Sequence, residues 1–218
     1  MDSKIKEILR FYLLATELKN KIRTGWVVWN VDKERLESVS EHIYGTCILA
    51  VAITSEFDVK VNLQKVILML VLHELEEVKI GDLTPFDNVT EQDKKEMAGE
   101  AIKWILGDLS KKDEYIDLLK EFEEQQTVES KFAKRCDKLE ADIQAKLYCD
   151  EKVCNINNPK NAHLLKDDRV QSLIQNGAKT VADLYIEYDR PKFIETEFKL
   201  ILDYIKAYNL KDLLGESE

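Results

Sequence analysis

Apolar residues recur at three- and four-residue steps through most of the chain, the spacing that gathers them on one face of an α-helix. Ile5, Ile8, Leu9, Tyr12 and Leu13 mark a first amphipathic helix ending before Thr24-Gly25, and residues 24–37 read as a connector. Ser38 followed by Glu41 has the form of a capping box, in which each side chain satisfies the other residue's backbone N–H. The segment behind it (Ile43, Cys47, Ile48, Val51, Ala52) is apolar enough for a buried helix, with His42 in its first turn. A third helix is predicted from about Leu63 to Val78, apolar all round in its first half, acidic in its second, and stopped by Gly81 with Pro85 beyond.

Thr90 and Asp93 open a further helix carrying Met97, Ala101, Ile102 and Ile105 on one face, and a shorter one covers residues 113–124. Val128, Phe132, Cys136, Leu139 and Ile143 mark the next. After the break at Asn157-Asn158-Pro159, two or three amphipathic helices follow, interrupted at Asp189-Arg190-Pro191. Only seven Gly and three Pro punctuate 218 residues, so long helices joined by short turns are expected and the fold class is all-α. The expected organisation is one helical domain over residues 1–150 and a helical C-terminal extension over 151–218. In that extension Leu200, Ile201, Tyr204 and Ile205 form a stripe suited to cover the domain or a second subunit.

A formal charge of -10 repels a nucleic-acid backbone, and no basic run with interleaved aromatics offsets it, so long DNA or RNA is excluded as a partner. A small nucleotide is not, because a metal and one or two Arg or Lys residues can make a cleft locally positive. The four Cys follow no disulfide-framework spacing, which fits a reducing cytoplasm; Cys149 and Cys154, lacking a second pair, are a weak signal for zinc. The N-terminus scatters charges among its apolar residues, unlike a signal peptide. The apolar run over 66–72 is far shorter than the roughly 20 residues of a bilayer span, so no membrane partner is expected.

His73 and Glu74 adjoin near the polar end of a greasy helix, where a carboxylate needs solvent, a cation or a metal for company. Glu77 shares the helix face of His73 and Asp82 follows in the loop beyond Gly81. Of only three His in the chain, His42 and His73 fall on two central helices, and Asp137 on a third offers a carboxylate. Singly, each feature is bland: a buried His is usually structural, and an acidic helix end is usually solvated. Together they make a donor set of the type helical bundles converge on one ion.

The stretches RTGW (23–26), ESVSEHIYG (37–45), HELEEVKIGDLTPFD (73–87) and SKFAKRCDKLEADIQA (130–145) resemble the HD-domain metal-dependent phosphohydrolases, in particular their 5'-deoxynucleotidase branch. The resemblance covers roughly residues 5–150. It implies a helical HD-domain bundle, often homodimeric, that hydrolyses (deoxy)nucleoside 5'-monophosphates. It further implies that His42, His73, Glu74 and Asp137 hold one divalent metal ion, with Mn, Co, Fe, Zn, Ni and Mg not distinguished. Glu77 then acts in proton transfer together with Asp82, and Arg23, Trp26 and Asp82 shape the nucleotide pocket. The family is named for adjacent His-Asp, whereas this chain has His73-Glu74, one methylene longer. Two alternatives follow. One is another HD-type reaction, on a nucleoside polyphosphate or a cyclic dinucleotide; the other is a metal-binding module in which that change has weakened catalysis.

Overall fold

The computed structural model describes residues 1–87 and 89–215, and among them it contains α-helices and short 3-10 turns but no strand. In chain order the helices are α1 (Asp2–Ala15), α2 (Thr24–Val28), α3 (Val39–Glu56), α4 (Leu63–Leu72), α5 (Glu77–Ile80), α6 (Glu91–Leu106), α7 (Lys112–Glu124), α8 (Val128–Asp150), α9 (Asp168–Gln175), α10 (Val181–Asp189) and α11 (Thr196–Ala207). The all-α expectation therefore holds. No helix among the described residues is long and apolar enough to cross a membrane.

The chain divides into two compact units, residues 1–24 with 37–134, and residues 25–36 with 135–218. Residue 150, the expected boundary, falls inside the second unit, because α8 runs unbroken to Asp150 and its Ala145 and Tyr148 belong to that unit's core.

In the first unit α3 packs on α4, whose Val66, Met69 and Leu70 are fully buried. Leu72 and Leu75 join Ile105, Leu106 and Leu119 in one core cluster, with Phe11 and Leu14 of α1 packed against it. Each such aliphatic side chain contributes about 1.5–3 kcal/mol by leaving water. The stripe read from the sequence of α1 does not face this core. Ile8, Leu9 and Leu13 are 59%, 54% and 61% exposed, and it is the Phe11/Leu14 side that packs inward. Periodicity finds the apolar stripe but not what covers it.

Residues 21–23 and 37–39 run side by side: Arg23 N–H donates to the Glu37 carbonyl at 2.9 Å and Val39 N–H to the Lys21 carbonyl at 2.8 Å. This short neck fixes Arg23 next to the start of α3. Ser38 and Glu41 form the expected capping box there, which sets the entry of α3 and the position of His42.

In the second unit, α2 replaces part of the expected connector. Its Trp26 is 2% exposed and packs with Val31, Ala145, Tyr148 and Ala182, so tertiary burial supports a helical turn that local propensity does not announce. A Cβ at Gly25 would lie 2.7 Å from the Tyr185 hydroxyl, so a larger residue there would have to displace the end of that side chain. The C-terminus of α8 closes with Lys152 at φ 62, its N–H donating to the Cys149 carbonyl at 3.0 Å and the Val153 N–H to the Tyr148 carbonyl at 3.1 Å. That pair of bonds is the Schellman closure, and it turns the chain back on the last turn of the helix.

Candidate metal centre

The predicted helix from Leu63 to Val78 is interrupted where the chemistry lies. α4 stops at Leu72, residues 73–76 form turns, and α5 starts at Glu77. The cause is local: the His73 ring Nδ1 lies 2.6 Å from the Leu70 carbonyl, and Leu75 and Glu77 bond three residues back, to Leu72 and Glu74. A carbonyl only accepts, so Nδ1 carries the ring proton and Nε2 presents its lone pair. The interruption swings His73, Glu74 and Glu77 around one point instead of spacing them along a continuous helix.

His42 and His73 are buried, at 0% and 4% exposure, with ring centroids 5.6 Å apart. The Glu74 carboxylate stands between them, its Oε1 3.7 Å from His42 Nε2 and 3.4 Å from His73 Nε2. Two imidazole nitrogens and a carboxylate converging in a buried place are a donor set for a borderline divalent ion. Phe122 of α7 closes the other side of His73, with centroids 5.3 Å apart, and Lys134 lies over that phenyl ring at 4.3 Å. Nothing in the sequence pattern singled out Phe122, because its only signal is an ordinary core position on α7.

Arg23 faces the same point. Its guanidinium nitrogen lies 3.5 Å from Glu74, 3.7 Å from Asp82 and 4.0 Å from Glu77. Asp82 in turn accepts the Thr24 N–H at 2.6 Å, which ties the loop after α5 to the neck that carries Arg23. Three carboxylates against one guanidinium leave the centre short of positive charge. The Glu77 carboxyl responds: burial first, then Glu74 and Asp82, push it up to about 11 against the opposing pull of Arg23. Burial and Glu74 likewise raise Glu76 to about 7. An added cation would relieve both, so the residues present fit a divalent metal.

Of the expected site residues, the first unit brings together Arg23, His42, His73, Glu74, Glu77 and Asp82. Asp137 belongs to the second unit, on α8, where it is 4% exposed with Lys138 Nζ 3.5 Å from its carboxylate. Trp26 is also in that unit, edge-on to Tyr148 at 5.2 Å and stacked on Tyr185 at 5.3 Å, so its ring serves as a packed wall. The acidic run on α7 is held by other side chains: Glu121 pairs with Lys65 at 2.6 Å and Glu123 with Lys134 at 3.0 Å. His163, the third histidine, is exposed.

The profile of the HD domain family matches residues 15–181. The human protein named 5'-deoxynucleotidase HDDC2 is 35% identical over 149 residues, which span 66% of this chain and 70% of the human one. The Schizosaccharomyces pombe 5'-deoxynucleotidase hdd1 is 31% identical over 144 residues, 63% of this chain and 70% of that one. Among solved structures, a conserved hypothetical protein from Pyrococcus furiosus superposes with a TM-score of 0.64 at 22% identity, over 92% of this chain and 99% of its own. A protein from Magnetospirillum magnetotacticum, described as a predicted metal-dependent phosphohydrolase, gives a TM-score of 0.60 at 20% identity over 94% and 95%. At those identities the two structures speak for the fold alone.

Proposed function

The chain belongs to the HD-domain family, and on that premise we propose that it is a metal-dependent phosphohydrolase cleaving the phosphomonoester of nucleoside 5'-monophosphates, deoxynucleotides above all, to nucleoside and phosphate. The observation that carries the reading is the Glu74 carboxylate, within 3.7 Å of both imidazole Nε2 atoms and 3.5 Å from the Arg23 guanidinium. A metal-ligating set and a phosphate-binding group thereby share one point.

In this reading His42, His73, Glu74 and Asp137 hold one divalent ion. Support for Asp137 comes from its burial and from the family resemblance of the α8 segment around it. When bound, the ion supplies Lewis acidity to a phosphate oxygen and lowers the pKa of a water. Arg23 offers a planar fork to the other phosphate oxygens, a geometry that Lys lacks. Glu77, beside Glu74 and Arg23, is the carboxyl placed to pass a proton to the departing 5' oxygen as the phosphorus–oxygen bond breaks. Asp82 anchors the loop through Thr24 and accepts hydrogen bonds at the pocket edge, and Trp26 backs the pocket as a buried wall.

The same reading places the protein in a reducing compartment, the cytoplasm, which the absence of a disulfide-framework spacing among the four cysteines supports. It also includes a homodimer, favoured by the apolar side of α1 that no part of the described chain buries and by Leu200 of α11, 55% exposed. Sedimentation as a single species of monomer mass would remove the dimer from the proposal.

The test is phosphate release from a panel of ribo- and deoxynucleoside 5'-monophosphates, with nucleoside polyphosphates and cyclic dinucleotides beside them, in manganese, cobalt, magnesium or chelator. Turnover of the monophosphates that needs metal and vanishes in both His73→Ala and Glu77→Ala is the expected result. Turnover of another substrate class alone, or none in any metal with the fold intact, overturns the proposal.

A further inference from the structure

Cys149 and Cys154 lie apart from the chemistry described above, yet the fold treats them as a pair. Cys149 sits in the last turn of α8, and the Schellman closure at Lys152 reverses the chain so that Cys154 returns beside it. The Val153 carbonyl accepts the Asp32 N–H at 2.7 Å, which pins the returning segment just before Cys154. Both thiols pack on the core cluster of Trp26 and Tyr148, and both are half-buried rather than sealed.

The surroundings of the two sulfurs differ. Cys149 packs on the cluster that includes Ala182 of the first turn of α10, where a helix leaves N–H groups without an internal partner. Nine residues of aligned peptide dipoles add positive potential at that end. Hydrogen bonding to the Cys154 thiol, with help from the Ala182 N–H, draws the Cys149 thiol down to about 7 against burial, Asp150 and Asp183. Cys154, the donor of the shared hydrogen bond and half-buried, is pushed up and keeps its proton. Cys47, by contrast, is raised by burial.

We propose that Cys149 and Cys154 are a reversible redox pair, in which Cys149 is the attacking thiolate and Cys154 the resolving thiol, closing an intramolecular disulfide when the protein meets hydrogen peroxide. The Cys149 thiolate attacks one peroxide oxygen; the sulfur–oxygen bond forms, the oxygen–oxygen bond breaks, and hydroxide leaves to take up a proton as water. Cys154 then attacks the sulfenic sulfur; the sulfur–sulfur bond forms and the hydroxyl departs with the Cys154 proton as a second water. Two thiols are oxidised and one peroxide is reduced to two waters. A dithiol reductant reverses the pair.

The test treats the full chain with hydrogen peroxide, blocks the remaining thiols with an alkylating agent and reads the intact mass and peptide map. The expected result is a loss of about 2 Da with two alkylation sites gone, one peptide linking Cys149 to Cys154, and full recovery with a dithiol. In Cys154→Ser, and in Cys154→Ala should the serine variant misfold, Cys149 is expected to stop as a sulfenic acid that a dimedone probe captures. Alkylation of the reduced wild type is expected to modify Cys149 faster than Cys47 at neutral pH. A gain of about 16 or 32 Da on Cys149 with Cys154 still alkylatable in the wild type, or oxidation that bypasses both, overturns the proposal.

Discussion

Glu74 carries the oxygen that meets both imidazoles, where the family is named for an aspartate. Its extra methylene lets the carboxylate stand 3.4 Å and 3.7 Å from the two Nε2 atoms while still facing Arg23. Glu74→Asp withdraws that oxygen by about one bond, and a misplacement of ~1 Å in a reacting constellation costs on the order of a hundredfold in rate. We expect reduced turnover with raised sensitivity to chelator in Glu74→Asp, and loss of bound metal in Glu74→Gln; unchanged metal content in the glutamine variant would remove Glu74 from the ligands. A second carboxyl gives a pH prediction. Asp142 is fully buried, neither oxygen has a hydrogen-bond partner, and burial, then Asp189, hold its carboxyl well above the usual range despite Lys138, Lys192 and Arg190. An acid whose folded pKa is raised keeps its proton in the fold, so it costs stability increasingly as pH climbs above its unfolded value of about 4. Asp142→Asn removes that cost, and the melting temperature of the wild type should fall relative to the variant between pH 4.5 and pH 8. Parallel curves would contradict the assignment. At this scale the sequence was readable for His42, His73 and Glu74, whose residue types name their chemistry. It pointed to Trp26 only through the family resemblance and was silent on its burial, which depends on Tyr148 and Tyr185 more than a hundred residues away.

Helices were visible as periodic patterns, and their ends were visible wherever a side chain caps the backbone: Ser38 and Glu41 for α3, Thr90 for α6. The interruption after Leu72 was hidden, because the residues that cause it are good enough helix formers and the competing acceptor is the His73 ring seeking the Leu70 carbonyl. That interruption and the capping box do the same job from opposite sides, one aiming His73 and the other His42. Ser38→Ala removes the cap, which costs about 1 kcal/mol. In a chain of 218 residues that lowers the melting temperature by about 2–4 °C. Thermal unfolding followed by circular dichroism checks it, and a change under half a degree would show that the neck alone holds α3.

For the molecule as a whole, a ligand that binds only the folded state raises stability by an amount that grows with its concentration over Kd. Manganese should therefore raise the melting temperature of the wild type, by about 2.7 kcal/mol worth of stability at a hundredfold excess over Kd. The increment should disappear in His42→Ala and His73→Ala while their metal-free melting stays measurable. An equal rise in all three proteins would place the binding elsewhere. The division into units has a further bearing, on the order in which the protein can be made. Residues 25–36 leave the first unit through the neck and are completed only by residues 135–218. On the ribosome the first unit has all its own segments once residue 134 has emerged, but Trp26 must wait, unsheltered, for Tyr148, Ala182 and Tyr185. Chaperone demand during synthesis should accordingly centre on this early-made, late-buried loop, and a nascent chain stalled short of α10 should show protease cleavage near Trp26 that release of the finished chain abolishes.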